Sequence, residues 1–551
     1  QSNLPKVAKV GDMASMSGLI DQGAVHTFAI TDCKGGIVLK NVTINTGPGF
    51  GIFEVRGEGG TILDGCRIVK GAKPEGATEE RLLTTIWDAI HHKLTHRGPI
   101  VQNCVIQDAG DDSWSVTWDG DYEIVSVVGN KITAVVKESG KDAVEVLQIG
   151  DSLRTSLSSQ AVKIIDITNG VLTLDKQCPW TVNTRFYSPY RRCEHFVFSN
   201  NYLHSSGRVL VKSGHGLIEN NFLDNTGKIV VNTEIVDGAT GIDSLVIRKN
   251  LIVGVGHFMP ASWSSQAGAI SITDVLSNEI HPVGSFRNFV IENNTFKDVS
   301  GVNIVVTSSS NINIKENKFY QTGISTPNNT GESYGIDQNT VVYIKNCDNL
   351  TMDYNIVYQL GLTARLKLWF VTNFVQLRRA IFVDESINDL SSDLYIKAVG
   401  VNDAVFHVSG DTIYNKYIEG NMYNKIDFGK KNNITITPQK EGYEFIPVSQ
   451  NFSKASGINL FSFTLKLNSA PNAIEKTDAN NTKIFTSKKG IVVELDHAPS
   501  SIAIYNPIGI LVHKFQTWQT SNVIPIDKSG LFIVKVDNRG KSNIAKVMIT
   551  H

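Results

Sequence analysis

Ile291-Glu292-Asn293-Asn294-Thr295-Phe296 is a short apolar run interrupted by two asparagines, and it returns 23 residues later as Ile314-Lys315-Glu316-Asn317-Lys318-Phe319. Upstream, the same pattern stands at Ile247-Arg248-Lys249-Asn250-Leu251-Ile252, Ile218-Glu219-Asn220-Asn221-Phe222-Leu223 and Phe198-Ser199-Asn200-Asn201-Tyr202-Leu203. Earlier copies place Cys or a single Asn at the centre: Val101-Gln102-Asn103-Cys104-Val105-Ile106, Leu63-Asp64-Gly65-Cys66-Arg67-Ile68 and Val38-Leu39-Lys40-Asn41-Val42-Thr43-Ile44. Met352-Asp353-Tyr354-Asn355-Ile356-Val357 ends the series. Spacings such as the 20 residues from Leu203 to Leu223 carry strand-like text, not helical text, which is the mark of a stacked solenoid. The L-x-x-L-x-L frame of leucine-rich repeats is absent. Equivalent positions then lie about 4.8 Å apart, apolar flanks fill the bore, and central amides can bond along a ladder.

The fold expected is all-β: a right-handed parallel β-helix with an inserted small β-barrel and C-terminal β-sandwich modules. Residues 1–120 read as the first part of the helix and 193–380 as the second. Between them, 121–192 carries alternating strands separated by turns such as Val128-Gly129-Asn130 and Asn169-Gly170, the pattern of an inserted barrel. The stretch Leu360 to Leu377, which contains Arg365 and Lys367, reads as an amphipathic or capping segment. Residues 381–474 read as an all-β module and 475–551 as a further one.

Formal net charge is −1 and the pI is near 7.0, which excludes the basic excess of a nucleic-acid binder. No run of about 18 apolar residues suggests a membrane span. No leader is visible at Gln1, so the start reads as mature, trimmed or incomplete. None of the six cysteines forms a C-x-x-C pair, which argues against a zinc or redox site. Cys33, Cys66, Cys104 and Cys347 precede β-type runs and read as small buried side chains at equivalent turns, with disulfides left open.

The chemistry concentrates in Trp87-Asp88-Ala89-Ile90-His91-His92 and Asp108-Ala109-Gly110-Asp111-Asp112-Ser113-Trp114. Asp111 and Asp112 follow Asp88 by 23 and 24 residues, one coil, so the three carboxylates are expected side by side on one face. Like charges at that range repel, raise at least one pKa and favour a shared proton. Glycosidic hydrolysis needs such a pair, one acid protonated and one ionised. A solvated acidic turn and a calcium site are the other readings, so no cofactor is expected, with structural calcium left open. On a regular strand Asp111 and Asp112 face opposite sides, so a bend or bulge is required. Asn replacements here are expected to leave folding little affected. His91 and His92 are candidates to bind a sugar hydroxyl or orient Asp88. Trp87, Trp114 and Trp118 are candidate stacking platforms. Arg208 and Lys212 share a face by strand parity and could bind hydroxyls or an anionic group. Core packing or plain solvation remains the alternative for each.

From about Phe28 to Phe258 the sequence resembles glycoside hydrolase family 110, inverting exo-α-galactosidases built on a β-helix with inserted barrels. The match rests on Asp88-Ala89-Ile90-His91, on Asp111-Asp112 one coil later with a barrel following, and on Gly207-Arg208-Val209-Leu210-Val211-Lys212-Ser213-Gly214-His215-Gly216-Leu217-Ile218-Glu219-Asn220-Asn221. The resemblance implies Asp111 as general acid, with Asp88 and Asp112 activating water across a carboxyl separation of about 6.5–9.5 Å. Ala89 replaces the family Gly, Ser115 and Thr117-Trp118-Asp119-Gly120 replace the usual Asn and His-Gly, and Ile235-Val236-Asp237-Gly238 stands where an aromatic and Glu are expected. These departures point to altered sugar reading. The last 75 or so residues, with Ile502-Ala503-Ile504-Tyr505-Asn506-Pro507-Ile508-Gly509, Ser529-Gly530-Leu531-Phe532-Ile533-Val534-Lys535-Val536 and Ala545-Lys546-Val547-Met548-Ile549, resemble the sorting domain of the type IX secretion system. That implies a secreted or cell-surface protein of a Bacteroidetes-type bacterium, partnered by the secretion machinery. The expected function is a glycoside hydrolase acting on a carbohydrate substrate with terminal α-linked galactose. A polysaccharide lyase and a non-catalytic glycan-binding protein are the alternatives, and homo-oligomerisation is left open.

Overall fold

The computed structural model describes residues 26–549 except 74, 78, 119–121, 138–139, 156–157, 234–240, 256–265, 277–278, 300, 324–333, 338, 361–363, 384–391, 400–403, 409–410, 415–422, 427, 429–430, 441–442, 455–456, 467–482, 488–489, 496–499, 506–510, 527–529 and 539–540. The stretches 119–120, 235–238 and 506–509 singled out above lie outside the described residues. The chain divides into two units, residues 1–386 and 387–551. No helix among the described residues is long and apolar enough to cross a membrane.

The first unit is a parallel β-helix. Among the described residues, twenty-eight strands link into one sheet system, all paired in parallel except the hairpin arm Glu279–Ile280. Most coils supply three short strands, for example Ile90–Lys93, Ile100–Gln102 and Val105–Gln107. Register is kept from coil to coil: Ile52, Ile90, Trp114 and Val209 lie level, the last step bridging the whole inserted segment. The coils run on through Ala364–Thr372 and Val375–Val383, which pair in parallel with Thr340–Leu360. The described residues between Leu360 and Leu377 are therefore further solenoid strand, amphipathic as the sequence suggests. Leu366 and Leu368 alternate with Arg365 and Lys367 at the strand period of two and pack against the bore.

The repeat text explains itself in the turns. The first residue of each Asn pair takes a left-handed backbone, with φ of 57° at Asn200 and Asn220 and 55° at Asn293, a conformation that Asn tolerates better than most residues. Gly65 fills the equivalent turn at φ 67°. The second asparagine points inward and builds the ladder. Asn201, Asn221, Asn250, Asn294 and Asn317 each donate from Nδ2 to Oδ1 of the next, ending on Asn355, at 2.9–3.0 Å. Each also donates to a backbone carbonyl, so no amide proton is lost on burial. The net gain is about 1 kcal/mol per bond, but the cost of interrupting the row is larger. Beyond Asn201 the amide is replaced by thiols: Cys104 donates its backbone N–H to Asn201 Oδ1 at 2.9 Å, and Cys66 donates to the Leu39 carbonyl. All six cysteines are free, Cys33 partly exposed and the rest buried. Around the ladder the bore is filled by Leu63, Ile68, Val101, Ile106, Phe198, Leu203, Ile252, Phe296 and Phe319, all sealed from solvent. Stacked Phe296 and Phe319 rings lie 5.0 Å apart.

Strands between Tyr122 and Phe186 form a six-stranded antiparallel sheet whose edges meet where Arg154 and Tyr187 exchange backbone hydrogen bonds at 2.8 and 2.9 Å, closing a barrel. Arg191 ties this barrel to the helix. Its guanidinium clasps Asp151 through two 2.8 Å bonds and also donates to the Gly57 carbonyl.

In the second unit, two four-stranded sheets between Ser392 and Lys466 pack around Ile396, Phe406, Ile436 and Phe463. A three-stranded and a four-stranded sheet between Lys483 and Ile549 enclose Ile491, Ile502, Val534 and Val536.

Candidate active site

The barrel is inserted directly after the strand Trp114–Thr117, and the acidic cluster lies at the start of that strand and of its upstream neighbour Ile90–Lys93. Asp88 precedes one strand; Asp111 and Asp112 occupy the bend before the other. The bend is fixed by its neighbours: Ala89 N–H donates to Asp112 O at 2.9 Å and Gly207 N–H to Asp111 O at 3.0 Å. A side chain at Gly207 would place its Cβ 2.0 Å from that same Asp111 oxygen, so the close approach of this coil requires glycine. With the strand not yet begun, both aspartates escape strand parity and join Asp88. One carboxylate oxygen from each lies within 4.8 Å of the others. That is closer than the 6.5–9.5 Å expected for inversion, because the acids sit on adjacent coils and not across a cleft.

The three differ in environment. Asp111 is exposed, and partial burial followed by the charge of Asp88 pushes its carboxyl above the ordinary value, against Arg208 and His91. Asp88 is buried and held by His91, whose Nδ1 lies 2.8 Å from its Oδ2 while Nε2 meets Thr117 Oγ1 at 2.9 Å. Both nitrogens of His91 are thus engaged, and it orients Asp88 more than it reaches outward. Asp112 is the most enclosed. Its Oδ1 accepts from Arg208 Nε at 2.6 Å and from the Arg208 backbone N–H at 3.2 Å. Its Oδ2 accepts from Arg208 Nη2 at 2.9 Å and Ser115 Oγ at 3.3 Å. Burial pushes the Asp112 carboxyl up to about 6, with the guanidinium pulling against it, so it remains ionised at neutral pH.

The remaining sequence candidates separate. Arg208 is committed to Asp112 and also donates to Gln266 Oε1 at 3.3 Å, so it holds an acid in place. Lys212 lies beyond the strand Val209–Val211, half-buried, on the parity of Arg208. His92 is not in the site. It points with Ile90 into the interior, fully buried, and pairs with Glu54 at 2.8 Å. Trp114 is a bore residue with no exposed surface, stacked on Phe198 at 4.4 Å. Trp118 belongs to the barrel core, with the Arg192 guanidinium 4.7 Å over its ring. Neither tryptophan can stack on a sugar.

What takes their place is a group of which the sequence reading named only Trp87. Phe50, Phe53 and His26 join Trp87 in a partly exposed cluster, with centroids 4.8–5.8 Å apart. Phe50 and Phe53 also contact His91 edge-on, at 5.1 and 5.7 Å. The signal was the parity of Gly51-Ile52-Phe53-Glu54, where Ile52 enters the bore and Phe53, level with His91, cannot.

Downstream of the acids the same sheet face is closed. Val230, Ser271 and Val305 follow Leu210 in its outward column yet have no exposed surface. Ala267, Ile280 and Ile336 pack there with Val305 and Tyr343. The acids therefore stand between an aromatic, partly open stretch and a covered one. A cation could reach all three carboxylates, but Arg208 already saturates Asp112, leaving two carboxylates for ions such as calcium that take six to eight oxygens.

No protein-family model matches the chain, and neither does any curated protein. Among solved structures, the chain is similar to the enzymatically active domain of tailspike protein 2 of bacteriophage CBA120, at 8% identity and a TM-score of 0.22, over 95% of this chain and 66% of that one. A likeness of that size carries no argument about function.

Proposed function

We propose that the protein is a secreted glycoside hydrolase that removes terminal α-linked galactose from a poly- or oligosaccharide. The observation that carries this reading is the placement of the adjacent carboxyls: an exposed Asp111, standing where a glycosidic oxygen can meet it, beside a buried Asp88 whose orientation is fixed by His91. Asp111 gives its proton to the departing glycosidic oxygen as the bond to the anomeric carbon breaks. Asp88 takes a proton from the water that attacks that carbon. Its Oδ2 is occupied by His91, whereas Oδ1 has only a 3.4 Å approach from the Asp112 N–H and is left for the water. Asp112, ion-paired with Arg208, keeps a fixed negative charge that supports positive character at the anomeric carbon. Nearest oxygens within 4.8 Å leave no room for water between acid and base, so the inversion implied by the family resemblance needs the water beside the pair. The covered face downstream supports attack at a chain end over mid-chain cleavage.

The test is incubation of purified protein with α-1,3-galactobiose and red-algal galactans, quantifying free galactose and recording the anomer first formed. Release of galactose supports the reading. Binding without release leaves a glycan-binding protein, and an unsaturated, ultraviolet-absorbing product would indicate a lyase. We also assign export to residues 475–551, on the pattern resemblance of their strands. Deleting them should abolish secretion in the native host while leaving the solenoid folded; normal secretion of the truncated protein overturns that assignment.

A further inference from the structure

The aromatic cluster beside the acids is placed where packing alone has no use for it. Ile52 and Ile90 already fill the bore at this level, and Phe53 and His91 stand on the opposite face of the same strands. Phe50, Phe53, Trp87 and His26 keep partial exposure instead of closing into a core, and rings that remain at a surface as a contiguous patch mark a binding site. His91 joins the patch to the chemistry, because one ring contacts Phe50 and Phe53 at its edges and Asp88 through Nδ1. The patch therefore ends at the carboxylates. On the other side of the carboxylates the face is sealed over Val230, Ser271 and Val305.

Resting on the hydrolase reading above, we infer that this aromatic shelf is the subsite for the leaving-group sugar. A terminal residue lies against the sealed end, the glycosidic bond sits over the acids, and the rest of the glycan departs across the shelf. A pyranose suits that surface: one face is a patch of C–H groups that stacks on aromatic rings, while its rim hydroxyls stay in water. The specificity consequence is a preference for substrates whose leaving group is itself a sugar.

The experiment compares Phe50→Ala, Phe53→Ala, Trp87→Ala and the aromatic-retaining Trp87→Phe with wild type on α-1,3-galactobiose and on methyl α-galactoside. Only the first has a leaving sugar ring. Each alanine variant should lose on the order of 10-fold more in kcat/KM on the disaccharide than on the methyl glycoside, and Trp87→Phe should keep most of the wild-type preference. Thermal unfolding checks that each variant folds. Equal losses on both substrates, or none on the disaccharide, overturn the shelf while leaving hydrolysis standing. If wild type cuts neither substrate, calorimetric titration with galactobiose decides. Binding that weakens in the alanine variants supports the shelf without catalysis, whereas absent or unchanged binding overturns it.

Discussion

Asn294 and Asp111 both belong to rows that step from coil to coil of one solenoid, yet their surroundings are opposite. Asn294 has no exposed surface, accepts from Asn250 at 2.9 Å and donates to Asn317 at 3.0 Å, so its stack is self-consistent. Asp111 stands exposed with Asp88 alongside, and that charge helps to push its carboxyl up. An amide is donor and acceptor at once, so stacking satisfies it. An ionised carboxylate only accepts, and stacking sets it against its neighbours. The first arrangement stabilises the fold; the second is strain that the fold sustains, and such strain collects where chemistry is done.

Substitution should separate the two rows. The largest effect expected is on turnover: Asp111→Asn should lower kcat by about 10²–10⁴-fold while the thermal midpoint holds or rises, since one repelling charge has gone. A fall in stability matching the fall in rate would make Asp111 structural, like Asn294. Asp112 is the intermediate case. Asp112→Asn takes the charge partner from the largely enclosed Arg208 guanidinium, and breaking such a pair costs up to about 3–5 kcal/mol, readable by denaturant unfolding. The geometry sets Asp112 apart from the sequence expectation that every acid here tolerates Asn, because four donors converge on it. Asn294→Ala should follow at about 1–3 kcal/mol for each buried group left unpaired, with kcat unchanged in the folded fraction. The smallest effect is in pH. Asp111 and Asp112 both have raised folded-state values, Asp112 about 6, so the native state holds protons that the unfolded chain releases near the ordinary carboxyl value. The contribution of Asp112 is complete below about pH 4 and is lost as pH rises through about 6, and that of Asp111 is lost in the same direction as pH rises above the ordinary carboxyl value. Unfolding measured across that range should show a shallower slope in Asp111→Asn.

The ladder was legible because its period, its asparagines and its flanking apolar residues repeat along the chain. The three acids were legible because one coil of spacing is a spatial statement in a solenoid. Arg208 as the partner of Asp112 was not, since 96 residues and a whole barrel separate them, and only the level pairing of Trp114 with Val209 brings them together. His92, Trp114 and Trp118 were drawn to the site by closeness in sequence. In Ile90-His91-His92-Lys93 the buried Ile90 already assigns His92 inward, and the same alternation puts Trp114 in the bore with Val116. Trp118 required the barrel core to be seen.

The most direct test of Asp111 as the acid varies the leaving group. An alkyl α-galactoside needs a proton on its departing oxygen, whereas a 2,4-dinitrophenyl α-galactoside does not. Asp111→Asn should lose about 10²–10⁴-fold on the first and retain most of the wild-type rate on the second. Equal loss on both, or no loss on either, would contradict the assignment.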